Sequence, residues 1–245
     1  MAVKVHRSLK AKARFYWSIN WIKTLYFNYK KFPFSIACKL PVYFYGRVKF
    51  QDISGQIIID APIKRGMIGF GQLYEKYTVH KGIAEIALVG KIVFKGHMQF
   101  GKDYFVSVDK DAYAEFGHMC GIASDGKFIC TKSIIFGNYV RVASEARIVD
   151  TDFHYMVSTI TGEKSLLSAP VRIGNYNYMS NRVSVLKGTT TPDYCTIASN
   201  SLCNKDYSAF GENILIGGVP AILLRKNITR DWKTEEKLFD EWMEV

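Results

Sequence analysis

No acidic residue occurs before Asp52, although the 51 residues ahead of it hold eleven of the 33 lysines and arginines. The other 22 basic and 22 acidic residues cancel, so the formal charge of +11 belongs to the first fifth of the chain. No apolar run reaches the roughly 18–20 residues of a membrane-spanning helix, and none is expected. The N-terminus lacks a compact apolar stretch ending in a small-residue cleavage site, so export by a signal peptide is not expected and a cytoplasmic location is. The five cysteines, Cys38, Cys120, Cys130, Cys195 and Cys203, are odd in number and contain no Cys-x-x-Cys pair. They read as reduced, buried thiols, neither a disulfide frame nor a zinc site. No metal constellation is visible.

What is present begins with aromatics. Thirteen Phe, Tyr and Trp residues fall in the first fifty, interleaved with the lysines and arginines. Trp17, Trp21, Leu25 and Tyr29, with Ile22 and Tyr26 beside them, have the i, i+4 spacing of a helix within 12–31. Two readings stand for it: an apolar face packed on the body with a solvated basic face, or contact with anionic lipid headgroups through residues 1–50. Nucleic acid is not the expected partner, although a polyanion would also suit the charge. Pro33 and Pro41 end the helix and lead into an extended stretch near Val42–Phe50. At the other end Thr234 reads as the N-cap of a short helix with Glu235 and Glu236 in its first turn and Leu238, Phe239, Trp242 and Met243 on its apolar side.

Between these ends the chain repeats. From Ile173 it divides into sixes whose first positions are Ile173, Met179, Val185, Thr191, Ile197 and Cys203. The fifth positions, Val183, Thr189, Cys195 and Ser201, are small or β-branched. The same period gives Phe116, Ile122 and Phe128, then Phe136, Val142 and Ile148, and earlier Phe94, Phe100 and Val106. Six residues form one side of a triangular coil and eighteen a full turn, with the first residue of each six inside. Gly or Asn is expected where the corner backbone visits left-handed φ, and successive turns stack as parallel strands about 4.8 Å apart. The fold class expected is mainly β, a parallel β-helix over 52–220 with a loop near 155–168. A basic, aromatic N-terminal segment, 1–51, precedes it, and a tail with a short helix, 221–245, follows. The spacing does not give the hand of the coil.

Residues from about Ser133 to Arg225 resemble the hexapeptide-repeat acyltransferases, the superfamily of the maltose, galactoside and serine acetyltransferases. The resemblance rests on the tandem sixes and on Ile148-Val-Asp-Thr-Asp-Phe-His154, which looks like that family's active-site strand, followed by a polar stretch from Thr159 to Ser168. It also rests on Ile197 to Asp206 and on Ile216-Gly-Gly-Val-Pro-Ala-Ile-Leu-Leu-Arg225, similar to its final coil and exit. Val219, Ile222 and Asn204 depart from the family's usual residues, and Tyr176, Tyr178 and Met179 stand where smaller ones are typical.

The resemblance implies a left-handed coil and transfer of acetyl from acetyl-CoA to a sugar hydroxyl in bacterial surface-polysaccharide or lipopolysaccharide assembly. His154 would be the general base, with Asp152, or alternatively Asp150, orienting the imidazole. Two residues apart on a strand, Asp152 and His154 would share a face. Ser180 and Ala198, one coil apart, fall at positions whose backbone would meet the pantetheine arm. Asn204 and Lys205 would occupy the turn, and Lys205 and Arg225 would meet the phosphates. The acceptor would be a sugar, nucleotide sugar or lipid-linked saccharide, and the assembly a homotrimer at the inner face of the membrane. Cys195 and Cys203 read as core fillers, while His6, His80, His97 and His118 have weaker claims to catalysis. The competing expectations are an N-acyltransferase on an amino sugar, an antibiotic acetyltransferase, and a non-catalytic β-helix scaffold or polyanion-binding protein.

Overall fold

The computed structural model describes residues 15–72 and 82–243, with side chains through residue 238. Residues 1–14, His80 and the side chains of Phe239, Trp242 and Met243 lie outside the described residues. The chain forms a left-handed parallel β-helix of three sheets. The nine-stranded sheet runs β1 (Val42–Phe44), β4 (Ile68–Phe70), β7 (Met98–Phe100), β10 (Cys120–Ile122), β13 (Arg141–Val142), β16 (Tyr178–Met179), β19 (Cys195–Ile197), β21 (Ile214–Gly218), β22 (Ala221–Lys226). The seven-stranded sheet runs β2 (Val48–Asp52), β5 (Ala84–Leu88), β8 (Phe105–Val108), β11 (Lys127–Cys130), β14 (Arg147–Val149), β17 (Ser184–Val185), β20 (Leu202–Cys203). The six-stranded sheet runs β3 (Gln56–Ile59), β6 (Lys91–Phe94), β9 (Tyr113–Phe116), β12 (Ser133–Phe136), β15 (Val171–Ile173), β18 (Thr190–Thr191). All strands pair in parallel except β21 with β22.

The six-residue positions explain the interior. Ile173, Met179, Val185, Thr191, Ile197 and Cys203 are all buried, as are Val183, Thr189, Cys195 and Ser201. In the last coils Arg172 pairs with Thr190, Tyr178 with Thr196 and Ser184 with Leu202, each eighteen residues on. Upstream the coils are longer: Gly121 pairs with Arg141, twenty residues on, and Met98 with Cys120, twenty-two. Larger side chains fill them. Phe44, Phe70 and Phe100 stack one above another with centroids 5.1 and 4.6 Å apart, and burying each stabilises the coil by about 2–3 kcal/mol.

Some corners carry the expected Gly or Asn at positive φ, as at Gly188, Asn200 and Asn213, and others carry larger residues. Tyr139, Tyr176 and Tyr194 take φ of +56°, +53° and +56°, a conformation that costs about 1–2 kcal/mol for a residue with a Cβ. Their rings stack in a column at 5.0 and 4.8 Å, which offsets part of that cost. Beside them Asn175 donates its side-chain amide and backbone N–H to Asp193, at 2.9 and 2.7 Å, and accepts from the Asn138 N–H at 2.8 Å.

Strand β1 and all but the last residue of β2 lie within the segment 1–51, and both strands pair in the coil. Helix α1 (Trp21–Lys31) and the short α2 (Phe34–Ala37) precede them. The C-terminal helix α3 (Trp232–Met243) begins before Thr234. Asp231, not Thr234, supplies the capping oxygen, accepting the Thr234 N–H at 3.2 Å; the Thr234 side chain and N–H together hold its carboxyl below the usual range. Of the cysteines, Cys120, Cys130, Cys195 and Cys203 are buried, whereas Cys38 is exposed because it follows α2 at the surface.

Candidate functional site

From β5 onward, among the described residues, the coil is interrupted in one place. Ile134 pairs with Val171 and Ile148 with Val185, thirty-seven residues on, because the chain leaves the coil after β14 and returns at β15. Residues 151–168 form an arm of two antiparallel runs, bridged at Thr151 with Ser168 and at Val157 with Lys164. The arm emerges at the edge between the seven- and six-stranded sheets, and it carries His154.

Asp150 holds the arm's base to the preceding coil. Its fully buried carboxylate accepts the backbone N–H groups of Thr131, Lys132 and Ser133, each at 2.7 Å, and the Thr131 hydroxyl at 3.0 Å. Those bonds leave it no part in orienting an imidazole. Asp152 does not meet His154 either. Strand β14 ends at Val149 and Phe153 turns at φ +61°, so the shared face expected of a continuous strand does not form. The Asp152 carboxylate instead meets the Lys187 ammonium at 2.5 Å. That ammonium also donates to the Leu166 carbonyl on the returning run, so Lys187 ties both runs together. His154 is exposed and makes no hydrogen bond or ion pair among the described residues.

Lys187 escaped the sequence reading. Its signal was its position one coil before Lys205: Val185 pairs with Cys203, so both lysines follow corresponding strands on the arm's edge. Asn204 and Lys205 are exposed there, and the Lys205 ammonium lies 5.6 Å from the Tyr207 ring centroid. The Ser208 hydroxyl and N–H, at 2.6 and 2.8 Å from Asp206, shape this turn and hold the Asp206 carboxyl below its usual range.

The remaining positions lie on another edge. Ser180 follows β16 and Ala198 follows β19, where the nine-stranded sheet meets the seven-stranded one, and the Ser180 N–H donates to the Ile197 carbonyl at 3.0 Å. Beside them a shallow groove of about 290 Å³ is lined by Tyr178, Thr196, Leu215, Ile228, Thr229 and Arg230. The Arg230 guanidinium covers the Tyr178 ring at 4.5 Å and pairs with Glu235 at 2.5 Å. Arg225, exposed on β22, is the partner of Leu215 in the groove wall. One chain therefore carries two sets, His154, Lys187, Asn204 and Lys205 on one edge and Ser180, Ala198 and Arg225 along another, separated by the width of the seven-stranded sheet.

His97 and His118 lie together on adjacent coils, ring centroids 5.8 Å apart, with the His97 N–H directed at His118 Nδ1 at 3.4 Å. They lie at a different corner from the arm.

No family model and no curated protein matches the chain. Among solved structures, the polySia-specific acetyltransferase NeuO is similar at 13% identity over 80% of this chain and 96% of its own, with a TM-score of 0.51. The polysialic acid O-acetyltransferase OatWY, at 17% identity over 76% and 91%, gives 0.38. The N-acyltransferase AntD from Bacillus cereus, in complex with dTDP and 3-hydroxybutyryl-CoA, gives 0.45 at 9% identity over 83% and 89%. A six-residue repeat, three sheets and an arm breaking the coil thus converge on one architecture, and the chain has the left-handed β-helix fold that NeuO also has.

Proposed function

We propose that the chain is an acyltransferase that moves acetyl from acetyl-CoA to a hydroxyl of a surface-polysaccharide or lipopolysaccharide sugar, with His154 as general base. The observation that carries the reading is the arm, which presents an unengaged imidazole at a coil edge lined by Lys187 and Lys205. A sugar hydroxyl is a weak nucleophile at neutral pH, and a neutral imidazole suits removal of its proton as it attacks. In this reading the hydroxyl oxygen bonds to the thioester carbonyl carbon while His154 takes the proton. The tetrahedral oxyanion is met by a backbone N–H. Collapse breaks the carbon–sulfur bond, and the imidazolium returns its proton to the departing CoA sulfur.

The two edges suggest where CoA lies. The groove beside Ser180 and Ala198 has the largely apolar walls that suit a pantetheine arm, and Arg225 is placed to meet phosphate. A homotrimer that sets this edge of one copy against the arm of the next would unite both sets. Phe153, Tyr155, Met156, Ile160 and Leu166 are exposed on the arm, and such a neighbour would cover them. That NeuO is a polySia-specific acetyltransferase agrees with a sugar-polymer acceptor.

The test is transfer from acetyl-CoA across a panel of nucleotide sugars and oligosaccharides, read as free CoA and as acetylated product. His154→Ala is expected to lower turnover by about 10²–10⁴-fold with an unchanged melting temperature. Equal turnover in the variant would overturn the role of His154, and acetylated amines in place of esters would reassign the reaction to N-transfer.

A further inference from the structure

Helix α1 is turned inside out relative to its amphipathic pattern. The side chains it buries are Thr24, Asn28 and Phe27. Asn28 donates to the Val42 carbonyl at 2.7 Å and accepts the Val42 N–H at 3.2 Å, and the Thr24 hydroxyl accepts the Phe44 N–H at 3.0 Å. These bonds satisfy the outer edge of β1, the first strand of the nine-stranded sheet, whose backbone groups would otherwise be unpaired. Asn20 fixes the helix start, accepting the Lys23 N–H at 3.2 Å and donating to the Gly46 carbonyl at 2.9 Å. At 100° per residue, Ile22, Tyr26 and Tyr29 then point directly away from the body. Trp17 is 88% exposed, Ile22 81% and Phe34 73%, and Trp21, Leu25, Tyr26 and Tyr29 are also exposed. The surface at this end of the prism is apolar and aromatic, while the described segment contributing it, 15–51, carries six cations and no anion.

We infer that this face docks on an anionic lipid bilayer, with the coil axis standing away from the membrane. Charge complementarity selects the occupant. A second copy would bring one wholly cationic segment against another, and a nucleic acid would give Ile22 and Leu25 nothing to bind. A bilayer takes both kinds of group, aliphatic and aromatic side chains at the acyl boundary and ammonium groups among the phosphates. Contact is peripheral, since no described helix is long and apolar enough to cross a membrane. The geometry also sets a reach, and this part rests on acyl transfer at the arm. Strands β2, β5, β8, β11 and β14 are successive neighbours, so the root of the arm stands about 19 Å above the level of β2. The acceptor is then a saccharide that is lipid-anchored but long enough to present its hydroxyl at that height.

The experiment is co-sedimentation of the full chain with vesicles of phosphatidylglycerol and phosphatidylcholine, against phosphatidylcholine alone. One variant combines Trp17→Ser, Ile22→Ser and Leu25→Ser; another combines Lys30→Glu and Lys39→Glu. Neither touches Thr24, Phe27 or Asn28, so both keep the contacts with β1. The wild type is expected to bind the anionic vesicles, and each variant to bind them more than about ten-fold more weakly. Acetyl transfer to a soluble acceptor is expected to be unchanged in both, which separates failure of docking from failure of the proposed chemistry. Wild-type binding no stronger to anionic than to neutral vesicles, variants that bind like wild type, or a wild type that self-associates through this face would each overturn the inference.

Discussion

The Lys187 ammonium and the Asp152 carboxylate meet at 2.5 Å across the root of the arm. The pair is partly exposed, with relative side-chain accessibilities of 21% and 34%, so its worth to global stability is about 0–1 kcal/mol. Its effect on the arm is larger, because the same ammonium also binds the Leu166 carbonyl. Lys187→Met is therefore expected to lower kcat for the proposed acetyl transfer about ten- to hundred-fold while the melting temperature moves little. Lys187→Arg is expected to restore most of the rate. A loss confined to KM, or no rescue by arginine, would remove Lys187 from the positioning of His154.

Asp150 acts on the coil itself. Three backbone N–H groups converge on its buried carboxylate, and replacing it leaves at least one of them unsatisfied. Asp150→Asn is expected to destabilise the fold by about 3 kcal/mol, read as a lowered urea midpoint, with activity surviving in proportion to the folded fraction. A variant as stable as wild type but inactive would instead make Asp150 a participant in the chemistry.

The interior thiols supply a pH dependence. Burial pushes Cys120, Cys195 and Cys203 from the ordinary value of 9.0 up to about 12. At pH 7 thiols are neutral whether folded or unfolded, and they contribute nothing. Above pH 9 the unfolded chain loses these protons and the folded chain keeps them, so stability falls as pH rises toward 12. Burial raises Tyr104 and Tyr207 too, and they act in the same direction. The urea midpoint is expected to decline above pH 9, and Cys203→Ala to flatten part of that slope. Under native conditions iodoacetamide is expected to modify Cys38 alone, and all five cysteines after unfolding.

The inside of the coil was legible because the period of six sets Ile173, Val185 and Ile197 on three different walls facing one interior. The arm was legible as a polar interruption, but its fastening was not. Whether Asp152 meets His154 or Lys187 depends on the turn at Phe153 and on a lysine more than thirty residues away, neither of which the local pattern specifies. Helix α1 shows the opposite difficulty. Its spacing gave the helix, but amphipathicity alone cannot say which face looks inward. Thr24 and Asn28 decided that by binding a strand edge that exists only after the coil has formed. At α3 the cap falls three residues before the local signal at Thr234, because the Asp231 carboxylate accepts the Thr234 N–H and the helix has already begun at Trp232.

The antiparallel turn of β22 has a consequence for growth of the molecule. A ladder of parallel coils with bare ends could be extended by another copy joining head to tail, which is how filaments begin. Here the nine-stranded wall is blocked against polymerisation twice, by a helix whose side chains occupy the hydrogen-bonding groups of β1 and by a final strand running the wrong way to template a further turn. Since elongation would have to proceed along all three walls together, closing one of them is enough to keep the assembly finite.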